Sequence, residues 1–189
     1  MKTELTLLCH APTHAMRAGM FPCAEDPIEW PEYLPAGMTL DALSFERVLV
    51  SPARCARETA AALSLTATVD SALRELDYGD WQGRSLKEIV RDDPEGLQHW
   101  LADPATAPHR GESIEALARR VVDRLKNPVH FPGCTLLVTH ASVIKVLLLE
   151  AVGAPLTAFS SVDVAPLSRV ALTAFKDRWR LRIGESLIG

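Results

Sequence analysis

The sequence predicts a three-layer α/β/α sandwich on a mostly parallel sheet with an antiparallel edge. Two observations carry this expectation. A short apolar strand, a polar turn and a helix recur three times along the chain, and near the C-terminus two runs alternate apolar and polar residues as a hairpin does. Strands alternating with helices demand a sheet covered on both faces, and such sheets bind ligands beyond the carboxyl ends of their strands.

The first strand spans residues 5–8, a continuous apolar run that ends at His10. Residues 20–45 follow as a loop-rich excursion holding Pro22, Pro27, Pro31 and Pro35, with room for one short helix. A second strand at 47–50 leads into SPARCARETAAAL, where Ser51 suits an N-cap, Pro52 the first helical position, and the alanines sustain the helix. Ser85 and Glu88 have capping-box spacing, and Ser113 opens a helix whose apolar positions are 114, 117, 118, 121, 122 and 125. A third buried strand at 134–138 ends at Thr139-His140, and the helix 143–152 is stopped by Gly153. Val170, Leu172 and Ala174 alternate, as do Trp179, Leu181 and Ile183, across a turn at Lys176-Asp177 that closes a hairpin on one sheet edge.

The bulk numbers exclude several classes. A chain of 189 residues, 48% hydrophobic and 23% charged, fits one globular domain over 1–189 with a single core. Its longest apolar runs fall far short of the roughly 20 residues of a membrane span. No charged, apolar and small-residue leader opens the chain, so a cytoplasmic location is expected by default. Cys9, Cys23, Cys55 and Cys134 have no CxxC spacing and are expected to be reduced thiols. A net charge of −4 without a lysine-rich run argues against a nucleic-acid surface. No membrane partner is expected, and a homodimer is compatible with the composition.

His10, Ser51 and His140 all end strands, where this architecture binds ligands. A histidine so placed can be a packed core residue, a metal ligand or a nucleophile. Convergence of His10 and His140 on one pocket explains two such placements better than two unrelated core histidines.

Five blocks in order make the chain resemble the histidine phosphatase superfamily, which includes phosphoglycerate mutases and alpha-ribazole phosphatases. They are CHAPT at 9–13, SPARCARET at 51–59, RELDYGDWQG at 74–83, Gly111-Glu112-Ser113, and VTHAS at 138–142. The resemblance implies a phosphoglycerate mutase-like fold and a metal-independent, cofactor-free phosphomonoesterase. Its partner would be a small phosphorylated substrate, and hydrolysis is expected over isomerisation. His10 would be the nucleophile, with its second ring nitrogen held by a backbone carbonyl. Glu75 would be the general acid, with burial raising its pKa, and His140 would hold phosphoryl oxygens. Thr13, Ser113 and Ala141 would add donors around the phosphate, with Thr13 and Ser113 equally suited to capping helices.

Against the family pattern, Cys9 and Cys55 occupy places where arginines bind phosphate. A thiol cannot replace a guanidinium's charge or its bidentate bonds. Arg17 and Arg54 are the expected substitutes, with Arg57 behind them and His109 and Arg110 as further groups facing substrate. Three other readings stay open on the same residues. Two thiols with two imidazoles suit tetrahedral zinc, Cys9 and Cys55 could form a reversible disulfide gating the pocket, and a catalytically silent relative could bind an anionic ligand.

Overall fold

The computed structural model describes residues 3–29, 45–126, 131, 133–175 and 178–182. Its elements in chain order are β1 (Thr3–Cys9), α1 (His14–Arg17), β2 (Arg47–Val50), α2 (Arg54–Ala62), β3 (Thr68–Val69), α3 (Leu86–Asp92), α4 (Pro94–Ala102), α5 (Ile114–Leu125), β4 (Gly133–Thr139), α6 (Ala141–Val152), β5 (Arg169–Phe175) and β6 (Arg178–Arg182). Short 3-10 turns occupy Ser71–Leu73, Gly79–Trp81 and Leu156–Ser161.

The sheet runs β3-β2-β4-β1-β5-β6. Its first four strands are parallel, and β5 and β6 are antiparallel additions on the β1 side. Period-two side chains divide the core between the two faces. Leu5, Leu7, Cys9 and Leu137 pack on the face covered by α5 and α6, while Leu8, Val48, Val50, Leu136 and Val138 meet Ala56 and Ala60 of α2 on the other. This is the three-layer sandwich read from the sequence, with its antiparallel edge.

Helix starts follow their local chemistry. Ser85 and Glu88 form a reciprocal capping box, Ser113 accepts from the Ala116 amide at 3.1 Å, and Gly153 ends α6 with φ 69° in the left-handed region. On α5, Ile114, Leu117, Ala118, Val121 and Leu125 are buried as the 3.6-residue period requires.

One expected start is displaced. Ser51 and Pro52 do not open α2; the helix begins at Arg54, after Ala53 in extended conformation. The Ser51 hydroxyl instead turns under the sheet end, where His140 engages it. Of the excursion at 20–45, residues 30–44 lie outside the described residues, as do the hairpin turn at Lys176-Asp177 and Ile183. The described part of the excursion is pinned by bridges from Met20 to Ser85 and from Thr13 to Ile28.

Register decides what meets at the carboxyl end of the sheet. Cys9 pairs with Thr139 and Val50 with Val138, so His10, Ser51 and His140 leave adjacent strands side by side. The His10 amide donates to the Thr139 carbonyl at 2.9 Å, and the Ser51 amide to the Val138 carbonyl at 3.0 Å.

Candidate active site

His10 is buried, 5% exposed, and its Nδ1 lies 2.7 Å from the Ala11 carbonyl oxygen. A carbonyl only accepts, so Nδ1 carries the hydrogen and Nε2 of the neutral ring keeps its lone pair. This is the backbone anchor expected from the sequence. The turn bearing it is fixed by the Ala11 amide donating to Thr59 Oγ1 at 2.9 Å, while that hydroxyl donates to the Cys55 carbonyl at 2.7 Å. Burial lowers the His10 pKa; the Ala11 carbonyl and Asp26 oppose that shift.

The His140 ring stands edge-on to His10, with centroids 5.0 Å apart and planes at 66°. Its Nε2 is 2.7 Å from Ser51 Oγ, which also accepts from the Ala53 amide at 3.2 Å. Its Nδ1 lies 3.5 Å from Glu75 Oε2. All donors are satisfied when Ser51 donates to Nε2 and Nδ1–H faces the carboxylate. Burial, with His10 and Arg120 nearby, holds the His140 pKa well below the ordinary imidazole value.

The Glu75 side chain is 19% exposed. Its Oε1 accepts from the Leu76 amide at 2.8 Å and from the Ser142 hydroxyl on the first turn of α6. Burial pushes this carboxyl up to about 7, against the Leu76 amide and the charges of Arg120 and Lys145, which favour the anion. The loop carrying Glu75 is held from α5. Arg120 donates to both Glu112 carboxylate oxygens at 2.9 and 2.6 Å and to the carbonyls of Ala72, Arg74 and Glu75.

The two glycine-bearing blocks have a packing reason. The Asp80 amide donates to the His109 carbonyl and the Glu112 amide to the Asp77 carbonyl. A Cβ on Gly79 would strike the His109 carbonyl, and one on Gly111 the Asp77 carbonyl. Close backbone contact, made possible by glycine, joins the segment bearing Glu75 to the start of α5.

Cys9 and Cys55 are buried free thiols at the same sheet end. Burial, reinforced by the Glu75 charge, pushes each up to about 12, so both are protonated thiols at neutral pH. Neither supplies positive charge.

Two of the expected substitutes have carboxylate partners. Arg17 pairs with Glu29 at 2.8 Å and Arg54 with Glu58 at 2.7 Å, all on a partly exposed rim, and Arg57 is exposed. The partners come from tertiary structure: the Glu29 amide donates to the Pro12 carbonyl, and Glu58 accepts from the Ile28 amide. His109 and Arg110 do not face this site. His109 is buried against the rings of Tyr78, Trp81 and Trp100, and exposed Arg110 pairs with Asp80.

Thr13 is buried and caps α1 by accepting from the Met16 amide at 3.3 Å, and Ser113 likewise caps α5. Ala141 begins α6 directly after His140, where first-turn amides have no partner within the helix and point toward the pocket end. Sequence reasoning missed Ser142, Lys145 and Arg120. Only Ser142 had a local signal, as the last residue of the block VTHAS.

Two buried imidazoles and a carboxyl gathered at the carboxyl end of the sheet, on this strand order, define a phosphoglycerate mutase-like α/β protein. The chain belongs to the histidine phosphatase superfamily: residues 35–184 match its branch 1. That span contains Glu75 and His140, while His10 precedes it. The chain is 30% identical over 124 residues to the adenosylcobalamin/alpha-ribazole phosphatase of Escherichia coli, covering 61% of each protein. It is 39% identical over 107 residues to a bifunctional protein of Mycobacterium tuberculosis, covering 53% of this chain and 29% of that one. The matches thus span less than two thirds of these relatives' lengths. Among solved structures, the alpha-ribazole phosphatase of Shigella flexneri is 26% identical with a TM-score of 0.78, covering 97% of this chain and 96% of that one. A mycobacterial glucosyl-3-phosphoglycerate phosphatase in complex with inorganic phosphate is 26% identical with a TM-score of 0.76, covering 96% of both chains. No helix among the described residues is long and apolar enough to cross a membrane.

Proposed function

We propose that the chain is a phosphomonoester hydrolase, acting on a small phosphorylated metabolite through a phosphohistidine on His10, with no cofactor. The observation that carries this reading is the bond from His10 Nδ1 to the Ala11 carbonyl, which leaves a nucleophilic Nε2 at the sheet end. In the first step Nε2 attacks phosphorus and the P–O bond to the alcohol breaks, while Glu75 delivers a proton to the leaving oxygen. A carboxyl raised to about 7 is substantially protonated at neutral pH and suits that task. In the second step water attacks the phosphohistidine, Glu75 accepts its proton, and inorganic phosphate leaves. His140 is the phosphoryl ligand, taking up a proton when an anion arrives and donating from Nε2. The first-turn amides of α6 beside Ala141 offer further donors, as helix N-termini do for phosphates.

Alpha-ribazole and glucosyl-3-phosphoglycerate phosphatases among the relatives support the substrate class, a phosphate ester of a small metabolite. The reading predicts release of inorganic phosphate from a panel of such esters and acid-labile phosphate on His10. A His10→Ala chain that retains full turnover would sink it.

A second reading has its own observation. Arg17 and Arg54 are bound to carboxylates, and by the resemblance Cys9 and Cys55 take the places of two phosphate-binding arginines. Loss of one such donor costs about 100- to 1000-fold in rate, so a weakly active or silent anion-binding member is the competing account. Phosphate or vanadate binding without measurable ester hydrolysis would favour it.

A further inference from the structure

We infer that His10, Cys55 and His140 form a binding site for a zinc-class cation, independent of the phosphatase reading although it uses the same pocket. One ligand atom from each of these buried residues lies within 4.8 Å of the others. In tetrahedral zinc sites, bond lengths of about 2.0–2.1 Å to nitrogen and 2.3 Å to sulfur put ligand atoms about 3.3–3.6 Å apart. Closing that gap asks each side chain for a shift of about an ångström, within reach of small χ rotations.

The surroundings of both imidazoles independently point to a cation. A metal-bound histidine characteristically donates its other N–H to a carbonyl or carboxylate, which fixes the tautomer and raises ligand basicity. His10 Nδ1–H is held by the Ala11 carbonyl, and His140 Nδ1 faces Glu75 Oε2 at 3.5 Å. Both Nε2 lone pairs are therefore the ligand-competent ones, and since Ser51 Oγ stands 2.7 Å from His140 Nε2, a cation there requires the Ser51 side chain to swing aside about χ1 and give up the bond it accepts from the Ala53 amide. Guanidiniums at positions 9 and 55 would repel a cation from this spot. The thiols found there do not, and Cys55 adds the soft donor that selects zinc over magnesium or calcium.

Binding forms Zn–S and two Zn–N bonds and breaks the Cys55 S–H bond, whose proton goes to solvent. No oxidation is involved. Three protein ligands leave a fourth position for water or an anion. A cation held by His10 Nε2 occupies the proposed attacking lone pair, so zinc and phosphoryl transfer to His10 are mutually exclusive.

The test titrates the reduced, metal-free chain with Zn²⁺ by calorimetry and with Co²⁺ as a spectroscopic probe. One metal per chain is expected, and the cobalt form should show thiolate charge-transfer absorption with tetrahedral ligand-field bands. Cys55→Ser should abolish the thiolate band. Cys55→Ser and His10→Ala should each weaken zinc by more than about 100-fold, since losing even an outer-shell partner costs about 10- to 100-fold. Cys134→Ser, at the opposite end of β4, should bind unchanged. Absence of stoichiometric zinc, a cobalt spectrum of the unaltered chain without a thiolate band, or tight binding that survives both Cys55→Ser and His10→Ala would overturn the proposal. The cobalt spectrum needs no variant, so misfolding of a variant cannot rescue it. Binding is read without turnover, so loss of the phosphatase reading and loss of the metal site are separate results.

Discussion

Ser51 Oγ lies 2.7 Å from Nε2 of His140, and both residues are buried beneath the carboxyl ends of β2 and β4. The hydroxyl therefore orients an imidazole rather than capping a helix. Ser51→Ala strips a buried nitrogen of its partner, which costs about 1–3 kcal/mol. Urea unfolding should show that loss with an unchanged slope, whereas helicity by circular dichroism should be unaltered, because α2 starts at Arg54 without a bond from Ser51 to its helical amides.

The pH profile of kcat/KM should be bell-shaped. In the proposed mechanism attack needs neutral His10, whose pKa is lowered from 6.5, so the acid limb should lie below that value. Proton donation needs protonated Glu75, so activity should fall as pH rises through about 7. Glu75→Gln should lower the rate and remove the alkaline limb; an alkaline limb unchanged in this variant would contradict the assignment.

Glu75 also makes stability depend on pH. Its folded pKa of about 7 exceeds the ordinary 4.5, so the folded chain holds the proton more tightly. Its stabilising contribution is complete below about 4.5 and is lost as pH rises through about 7. Thermal unfolding followed across that window should show a smaller decline in Glu75→Gln than in the unaltered chain.

Arg120 is a positioning residue for the same carboxyl. It and Glu112 are only 13% and 10% exposed, so Arg120→Ala leaves a buried carboxylate with Arg74, at 3.3 Å, as its remaining ion-pair partner, and should cost less than the loss of about 3–5 kcal/mol that follows when a buried charge is stripped of every partner. Arg120→Lys should recover only part of this, because an ammonium lacks the planar fork that reaches Glu112 and three carbonyls together. A displaced alkaline limb in Arg120→Lys would distinguish positioning of Glu75 from mere structural support.

Cys55→Arg tests what the thiol costs. If phosphoryl transfer in the proposed mechanism is limited for want of a guanidinium at this position, supplying one should raise kcat/KM for phosphomonoesters by about 100-fold, the scale of a single preorganised donor. Unchanged kcat/KM in a folded variant would mean that another group carries that charge.

The strands and most helix starts were legible because their signals are local: apolar runs at β1, β2 and β4, the Ser85–Glu88 spacing, and Gly153 after α6. The meeting of His10 and His140 was legible because strand ends in this architecture converge. Pairing register, which also delivers Ser51 to His140, was not, since it depends on strands distant in sequence. The same reason hid the pairing of Arg17 with Glu29 and the hold of Arg120 on the Glu75 loop. His109 looked available to substrate beside the Gly-Glu-Ser block, but Tyr78, Trp81 and Trp100 enclose it. Aromatic residues scattered over some thirty positions gave no periodic signal.

The most direct test of the account is rapid quenching of the chain during turnover of a labelled phosphomonoester, followed by mapping of protein-bound phosphate. The account predicts acid-labile, alkali-stable label on His10 that forms and decays at rates matching turnover and is absent from His10→Ala. Turnover without labelled His10, or full turnover by His10→Ala, would contradict it.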